Sequence, residues 1–194
     1  MPTTWFEKRG IIRHYDKMAN IYDSLYREEQ ELKIKQILRH MAVHNSDLTL
    51  DAGCGTGFLF KHVHKQGSHL VGADLSKGLL RIALAHVRQA GTRNVSLVRA
   101  DVDHLPFKER VFDKVFALTL LQDSSDLDVT LKEIIRTTKV DSMLAVTGLK
   151  KVFTEEQFKQ ALTKEGLEIN ILLTPEQVKD FIAVCRMHVE AKIK

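Results

Sequence analysis

The stretch Leu50-Asp51-Ala52-Gly53-Cys54-Gly55-Thr56-Gly57 lies between an apolar strand pattern and a helical pattern. Its three glycines stand at alternate positions. Gly53 and Gly55 allow a tight turn and bring bare backbone against a ligand, because a Cβ atom would fill that space. Backbone N–H groups there, with the N-terminus of the next helix, favour a polar or negatively charged ligand group. The stretch therefore predicts a ligand-binding strand–loop–helix unit.

Two classes of ligand use a turn of this kind. Dinucleotide-binding folds carry G-x-G-x-x-G, in which the third glycine lets the helix approach the strand. Here the bulky Phe58 stands at that position. Asp51, two residues before the first glycine, would repel a diphosphate and suits a ligand with an ammonium or sulfonium charge. The turn is therefore predicted to bind a positively charged nucleoside that carries an amino acid, and a nicotinamide-dependent oxidoreductase is disfavoured.

The composition predicts one globular domain. The chain has 194 residues, of which 44% are hydrophobic and 28% charged, and this excludes a mainly disordered chain or a disulfide scaffold. No apolar run approaches the roughly 20 residues that cross a bilayer, and no signal sequence is recognised, so we expect a cytoplasmic protein without a membrane span. The net charge of +4 permits an RNA substrate without indicating one.

Metal and disulfide chemistry are not expected. Cys54 and Cys185 lie far apart in the chain, and neither belongs to a CxxC pair. His40 and His44 have i, i+4 spacing but lack the HExxH motif of a metal site. We therefore predict no metal.

Apolar periodicity predicts alternating strands and helices beyond about residue 46. The predicted strands are residues 48–51, 69–74, 95–100, 111–118, 142–148, 167–173 and 180–189. The predicted helices are an opening helix around residues 15–22, then 29–40, 58–66, 76–90, 126–138 and 154–166. The last two strands are joined by a segment too short for a helical crossover, so we expect them to be antiparallel. The others imply a mostly parallel sheet, which binds ligands at the carboxyl ends of its strands.

Acidic residues follow two of these strand ends. Asp74, about twenty residues beyond the turn, can accept both hydrogen bonds of a ribose diol, while Ser76 caps the next helix. Asp101-Val102 can accept from an adenine amino group and donate to a ring nitrogen.

The fourth strand ends beside the expected ligand as well. We expect its last carbonyls, around Leu118, to face the amino acid part of the ligand. Gln122 and Asp123 either lie over the reacting centre or begin a loop. Lys150 and Lys151, after the fifth strand, either attract an anionic substrate or form a solvated pair.

Together these residues resemble the class I S-adenosylmethionine-dependent methyltransferases, and more narrowly the small ubiquinone/menaquinone-biosynthesis-type enzymes. The matching stretches are residues 15–23, 50–57, 74–76, 101–107 and 112–115. The resemblance implies an α/β fold: a Rossmann-like, seven-stranded, mostly parallel sheet with helices on both faces. The last strand would insert antiparallel between strands five and six. It also implies one domain over residues 1–194, with an N-terminal helical cap (1–45) and a cofactor-binding α/β core (46–194).

The resemblance further implies the cofactor, S-adenosylmethionine, and its site. Gly53, Cys54 and Gly55 would line the methionine part, Asp74 would hold the ribose, and Asp101-Val102 would read the adenine. The full set of expected cofactor-binding residues is Asp51, Gly53, Cys54, Gly55, Gly57, Asp74, Leu75, Asp101, Val102, Leu118, Tyr15 and Tyr22, the two tyrosines belonging to a lid.

Two features depart from the family pattern. The usual Pro-Gly-Gly turn is replaced by Thr138-Lys139-Val140-Asp141-Ser142. The Asn-Pro-Pro-Tyr motif of amide and exocyclic-amine methyltransferases is missing after strand four, which argues against those substrates.

The predicted function is transfer of a methyl group, by in-line displacement, to a small-molecule acceptor. A general base is needed only if the nucleophile holds its proton at neutral pH. The candidates are Asp123, Tyr15, Tyr22 and His104, and none has neighbours in the sequence that fix its role. Two alternatives stay open: a tRNA or protein substrate presented by a partner subunit, and a non-catalytic member that only binds the cofactor.

Overall fold

The computed structural model describes residues 5–63 and 67–187, and one seven-stranded sheet forms its centre. The strands are β1 (Leu48–Ala52), β2 (His69–Asp74), β3 (Val95–Arg99), β4 (Phe112–Ala117), β5 (Thr138–Leu149), β6 (Leu167–Leu173) and β7 (Asp180–Met187). They lie in the order β3-β2-β1-β4-β5-β7-β6. The first five pair in parallel, and β7 runs antiparallel to both β5 and β6. The predicted insertion of the last strand is confirmed.

Helices cover both faces of the sheet. They are α1 (Trp5–Leu38), α2 (Phe60–Val63), α3 (Lys77–Gln89), α4 (Leu127–Thr137) and α5 (Glu155–Lys164). Buried side chains of α1, α2 and α3 share one hydrophobic cluster, whereas those of α4 and α5 share the other. Along β4, Val115 and Ala117 belong to the second cluster and Phe116 to the first, because successive strand residues point to opposite faces. The Rossmann-like α/β prediction is therefore confirmed.

The N-terminal segment forms one helix, where the sequence predicted two. Helix α1 has 34 residues and a length of about 50 Å. Its middle, residues 23–29, lacks an apolar stripe but contains neither glycine nor proline, so nothing in it interrupts the backbone hydrogen bonds. An ion pair between Asp23 and Arg27, one turn apart, also supports this stretch.

Several predicted boundaries shift by a few residues. Strand β5 begins at Thr138 rather than residue 142, because the chain passes directly from α4 into the strand. Helix α2 begins at Phe60, and residues 64–66 of its predicted extent lie outside the described residues, as do 188–189 of the last strand. The caps at Ser76 and Thr154 are confirmed: each side-chain oxygen accepts a backbone N–H three residues on. None of the helices described has an apolar stretch of bilayer-spanning length.

Candidate active site

A cavity of about 120 Å³ lies at the carboxyl ends of β1, β2 and β4, under the N-terminal half of α1. Its walls come from the helix, the glycine-rich turn and the segments that follow β2, β3 and β4. The lining residues are Lys8, Ile11, Ile12, Tyr15, Tyr22, Gly53, Gly55, Asp74, Leu75, Ser76, Leu79, Asp101, Val102, Asp103, Leu118, Thr119, Leu120, Asp123, Ser124, Ser125 and Thr130. The site therefore lies where a parallel sheet places its ligands.

The glycines of the turn serve two purposes. Gly53 and Gly55 line the cavity with φ of 75° and 55°, in the left-handed region that favours glycine. Gly57 also has positive φ, but a Cβ there would stand 2.4 Å from the ring of Phe60. Gly57 lies outside the lining of both cavities, so its expected contact with the cofactor stays a prediction. The third glycine instead lets the start of α2 pack closely.

Asp51 and Cys54 line a smaller cavity that shares Tyr22, Gly53 and Gly55 with the main one. Asp51 is 4% exposed, and burial together with the nearby charge of Asp74 raises its pKa to about 8. A positive ligand group would favour the charged form of this carboxyl, as predicted from its place before the turn. Burial raises the pKa of the Cys54 thiol well above its ordinary value. Because the thiolate is the nucleophilic form, Cys54 lines the cavity without serving as a nucleophile.

Asp74 ends β2 and is held by the backbone. One carboxylate oxygen accepts from the Gly55 N–H at 2.9 Å and the other from the Ser76 N–H at 2.8 Å. Burial raises the pKa of Asp74, and these hydrogen bonds oppose the rise. Each oxygen retains accepting capacity toward the cavity, which fits the expected ribose contact.

Asp101 and Val102 line the cavity after β3, but the structure adds a cation that the sequence analysis missed. The Lys8 ammonium lies 2.5 Å from Asp101 and 2.7 Å from Asp103. Burial opposes protonation of Lys8, but the two hydrogen-bonded carboxylates outweigh it and raise its pKa. No sequence signal near Lys8 pointed to this contact, since more than ninety residues separate the partners.

Tyr15, Tyr22 and Asp123 meet on the helix side of the cavity. The Tyr15 hydroxyl donates to an Asp123 carboxylate oxygen at 2.6 Å, and the two tyrosine rings lie 6.1 Å apart. Burial and the nearby Asp123 charge raise the pKa of Tyr15, while burial raises that of Tyr22 with help from Asp74. Burial also raises the pKa of Asp123, against the Tyr15 hydrogen bond. Both tyrosines stay protonated at neutral pH, which leaves Asp123 as the group able to accept a proton.

Three other candidates lie elsewhere. His104 is exposed and outside the cavity lining, so the structure does not bring it to the site. Gln122 turns back to donate to the Thr119 carbonyl and also does not line the cavity. Lys150 donates to the carbonyls of Pro175 and Val178, and therefore braces the β6–β7 connection instead of attracting substrate. Within residues 5–63 and 67–187, His, Cys, Asp and Glu form no group of three or more that could hold a metal ion.

Comparison with known proteins agrees with this geometry. A family described as "Methyltransferase domain" matches residues 50–146, half of the chain. The demethylmenaquinone methyltransferase of Thermobifida fusca is 30% identical over 145 residues, which are 72% of this chain and 61% of that protein. The chain spans about half to three fifths of the length of the curated relatives that it matches first.

Solved structures show the same fold. A SAM dependent methyltransferase from Aquifex aeolicus has a TM-score of 0.76 at 17% identity, over 89% of this chain and 98% of that one. A methyltransferase in complex with the Trm112 methyltransferase activator, from Haloferax volcanii, has a TM-score of 0.77 at 17% identity, over 90% and 97%. The fold, together with the glycine-rich turn at the carboxyl ends of the strands, defines a class I methyltransferase. The cofactor of this class is S-adenosylmethionine. The chain belongs to the methyltransferase-domain family.

Proposed function

We propose that this protein transfers a methyl group from S-adenosylmethionine to a small-molecule acceptor. The observation that carries the proposal is the position of α1, which lies across the carboxyl edge of the sheet. Between Lys8 and Tyr22 the helix closes the cavity with Ile11, Ile12 and Tyr15. A cavity that is partly covered by a helix and has mostly apolar walls suits a small acceptor better than a polymer. The name of the Thermobifida fusca relative, a demethylmenaquinone methyltransferase, supports the same class of acceptor.

The residues of the site would hold the cofactor at three points. Asp51 would face the positively charged amino acid part, Asp74 the ribose hydroxyls, and Asp101 with Val102 the adenine. When bound, S-adenosylmethionine supplies a methyl group on a positively charged sulfur, which the acceptor attacks in line. Tyr15 and Tyr22 would exclude water from the cavity and limit the orientations open to the acceptor, which accounts for much of the rate in such reactions.

Asp123 would face the acceptor. Its carboxylate lines the cavity, it is fixed by the Tyr15 hydroxyl, and its pKa is raised by burial. A carboxylate of this kind can accept a proton from an acceptor hydroxyl as the new bond to the methyl group forms.

Radiolabelled S-adenosylmethionine tests the proposal. The protein is incubated with methyl-labelled cofactor and separate small-molecule, RNA and protein fractions of a cell extract. We expect label in the small-molecule fraction, lost in Asp74→Ala and kept in Asp128→Ala, whose carboxylate pairs with Lys164 on the surface. Label in another fraction alone would contradict a small acceptor.

A second candidate is methylation of RNA or protein with an activating partner. The Haloferax volcanii complex pairs a chain of the same fold with a methyltransferase activator. Ile21 and Leu25, one turn apart on α1, are exposed apolar side chains that a partner could cover. Label that enters RNA or protein only after a partner is added would favour this candidate. Binding of S-adenosylhomocysteine with no labelled fraction at all would instead indicate a non-catalytic member.

A further inference from the structure

A buried ion pair joins α1 to the start of β7. Lys33 is 1% exposed and Asp180 is 0% exposed, and the ammonium lies 2.5 Å from a carboxylate oxygen. Replacing such a pair by packed apolar residues is often neutral or stabilising, so stability alone does not explain a buried lysine. An apolar pair could not donate a hydrogen bond to a neighbouring group. Lys33 does so, because its ammonium also donates to the Thr119 hydroxyl at 2.6 Å.

Thr119 is held by hydrogen bonds to α1, to β5 and to the side chain of Gln122. Its hydroxyl accepts from Lys33 and from the Gln30 amide at 2.9 Å, both on α1. Its N–H donates to the Thr147 hydroxyl of β5 at 2.7 Å, and its carbonyl accepts from the Gln122 side chain at 2.5 Å. The backbone at Thr119 has φ of 54°, which a β-branched residue adopts only when its surroundings hold it there.

This conformation decides where the two neighbours of Thr119 lie. Leu118 lines both the main and the smaller cavity. Leu120 packs over the glycine-rich turn, with its Cδ1 atom only 2.9 Å from where a Cβ on Gly53 would stand. The backbone at Thr119 therefore sets the width of the slot between the end of β4 and the turn, which is where the amino acid part of the cofactor would lie.

We propose that Lys33 and Gln30 are positioning residues, which hold Thr119 in its strained conformation and so shape the subsite for the methionine part of the cofactor. The inference rests on the cofactor site of the proposed function. It predicts a selective defect: loss of the Thr119 hydroxyl contacts weakens ligands that carry the amino acid and leaves the adenosine contacts intact.

Two related ligands separate the positioning role from general loosening. S-adenosylhomocysteine and 5′-methylthioadenosine share adenosine and sulfur, but only the first carries the amino acid. Their affinities are measured by calorimetry at 15 °C for wild type, Thr119→Val and Thr119→Ser, with far-UV circular dichroism to show that each variant is folded. We expect Thr119→Val to bind S-adenosylhomocysteine about tenfold more weakly and 5′-methylthioadenosine within about twofold of wild type. Thr119→Ser, which keeps the hydroxyl, should match wild type for both ligands.

A double variant tests the lysine while avoiding an uncompensated buried charge. Lys33→Met/Asp180→Leu should fold, because both partners of the pair are replaced together, and should show the same selective loss as Thr119→Val. Unchanged S-adenosylhomocysteine binding in both variants, or an equal loss for the two ligands, would overturn the positioning role. A wild-type protein that binds neither ligand would instead overturn the proposed cofactor site, and this inference with it.

Discussion

The two ends of α1 each place a lysine against carboxylates at the sheet edge, but in different surroundings. The Lys8 side chain is 13% exposed beside Asp101 and Asp103, near the exposed Trp5 and Phe6. Lys33, by contrast, is buried beside Asp180, on a part of the helix whose Ile34 and Ile37 are also buried. A lysine–carboxylate contact thus lines the cavity at the N-terminal end of α1. At the C-terminal end the same type of contact is buried in the core.

The comparison indicates how one helix can both anchor and cover a site. The Lys8 contact is part-buried, because its partners Asp101 and Asp103 keep 21% and 10% of their side-chain exposure, so breaking it leaves carboxylates that water can still reach. Breaking the Lys33 contact leaves a charge stranded in the core. We therefore expect the first turns of α1, around Lys8, to move away when a ligand enters, while the C-terminal half stays fixed to β7.

The largest expected effect tests this difference in stability. Lys33→Met leaves the Asp180 carboxylate buried without its cation, and should lower the free energy of unfolding by about 3–5 kcal/mol in urea denaturation. The matched variant Lys8→Met should lower it by less, about 1–2 kcal/mol, because Asp101 and Asp103 keep some exposure to water. Equal losses at the two ends would remove the distinction between anchor and cover.

A second prediction concerns the buried carboxyl of Asp51. The pKa of Asp51 is raised from 3.8 to about 8, so its ionisation lowers the free energy of unfolding progressively as pH rises from about 4 to 8. Below pH 4 the carboxyl is protonated in both folded and unfolded chains, and this loss is absent. A ligand ammonium would favour the charged form and release close to one proton at pH 7.

Calorimetry of S-adenosylhomocysteine in buffers of different ionisation enthalpy measures that proton. In Asp51→Asn the release should disappear and the affinity should fall about tenfold, because a charged partner is lost. At pH 9 the wild type should release much less than at pH 7, since Asp51 is then already ionised. Equal proton release by wild type and Asp51→Asn at pH 7 would contradict the assignment of Asp51.

A smaller effect is expected at the middle of α1. Tyr15→Phe removes the hydroxyl that donates to Asp123, and should lower the free energy of unfolding by about 1 kcal/mol. It should also raise the pKa of Asp123 further, because the carboxylate loses a donor to its charged form. Following the Asp123 carboxyl carbon by NMR across a pH titration checks the second point, and an unchanged or lower pKa would count against it.

The smallest expected effect concerns cofactor binding at the exposed end. Because the Lys8 ammonium occupies the carboxylate that would accept from the adenine amino group, its removal in Lys8→Met should strengthen S-adenosylhomocysteine binding by about two- to threefold. Calorimetry measures the change, with Lys17→Met as a control on the same helix. A clear weakening would show that Lys8 contributes to binding.

Local sequence patterns predicted most of the α/β part of the fold. The glycine-rich turn, the strand alternation and the caps at Ser76 and Thr154 all depend on residues within a few positions of one another. The acids at the ends of β2 and β3 could be placed at the site because parallel strands bring their carboxyl ends to one edge. These features needed only the order of elements along the chain.

The contacts of α1 could not be predicted in the same way. Lys8, Gln30 and Lys33 are ordinary polar residues in the sequence, and their partners lie 86 to 147 residues away. Thr119 stands out in the structure only because its φ is positive. A positive φ is not expected of a β-branched residue, so the sequence contains no sign of it. His104 follows Asp101 closely along the chain, but its side chain is exposed and lies outside the cavity lining.

A crystal structure of the protein with S-adenosylhomocysteine tests the central claim most directly. We expect the amino acid part of the ligand to lie between Gly53 and Leu118, with its ammonium facing Asp51. We also expect ribose hydroxyls within hydrogen-bond distance of Asp74, and Lys8 displaced from Asp101. A ligand that avoids the glycine-rich turn, or a soaked dinucleotide whose diphosphate lies on that turn, would contradict this expectation.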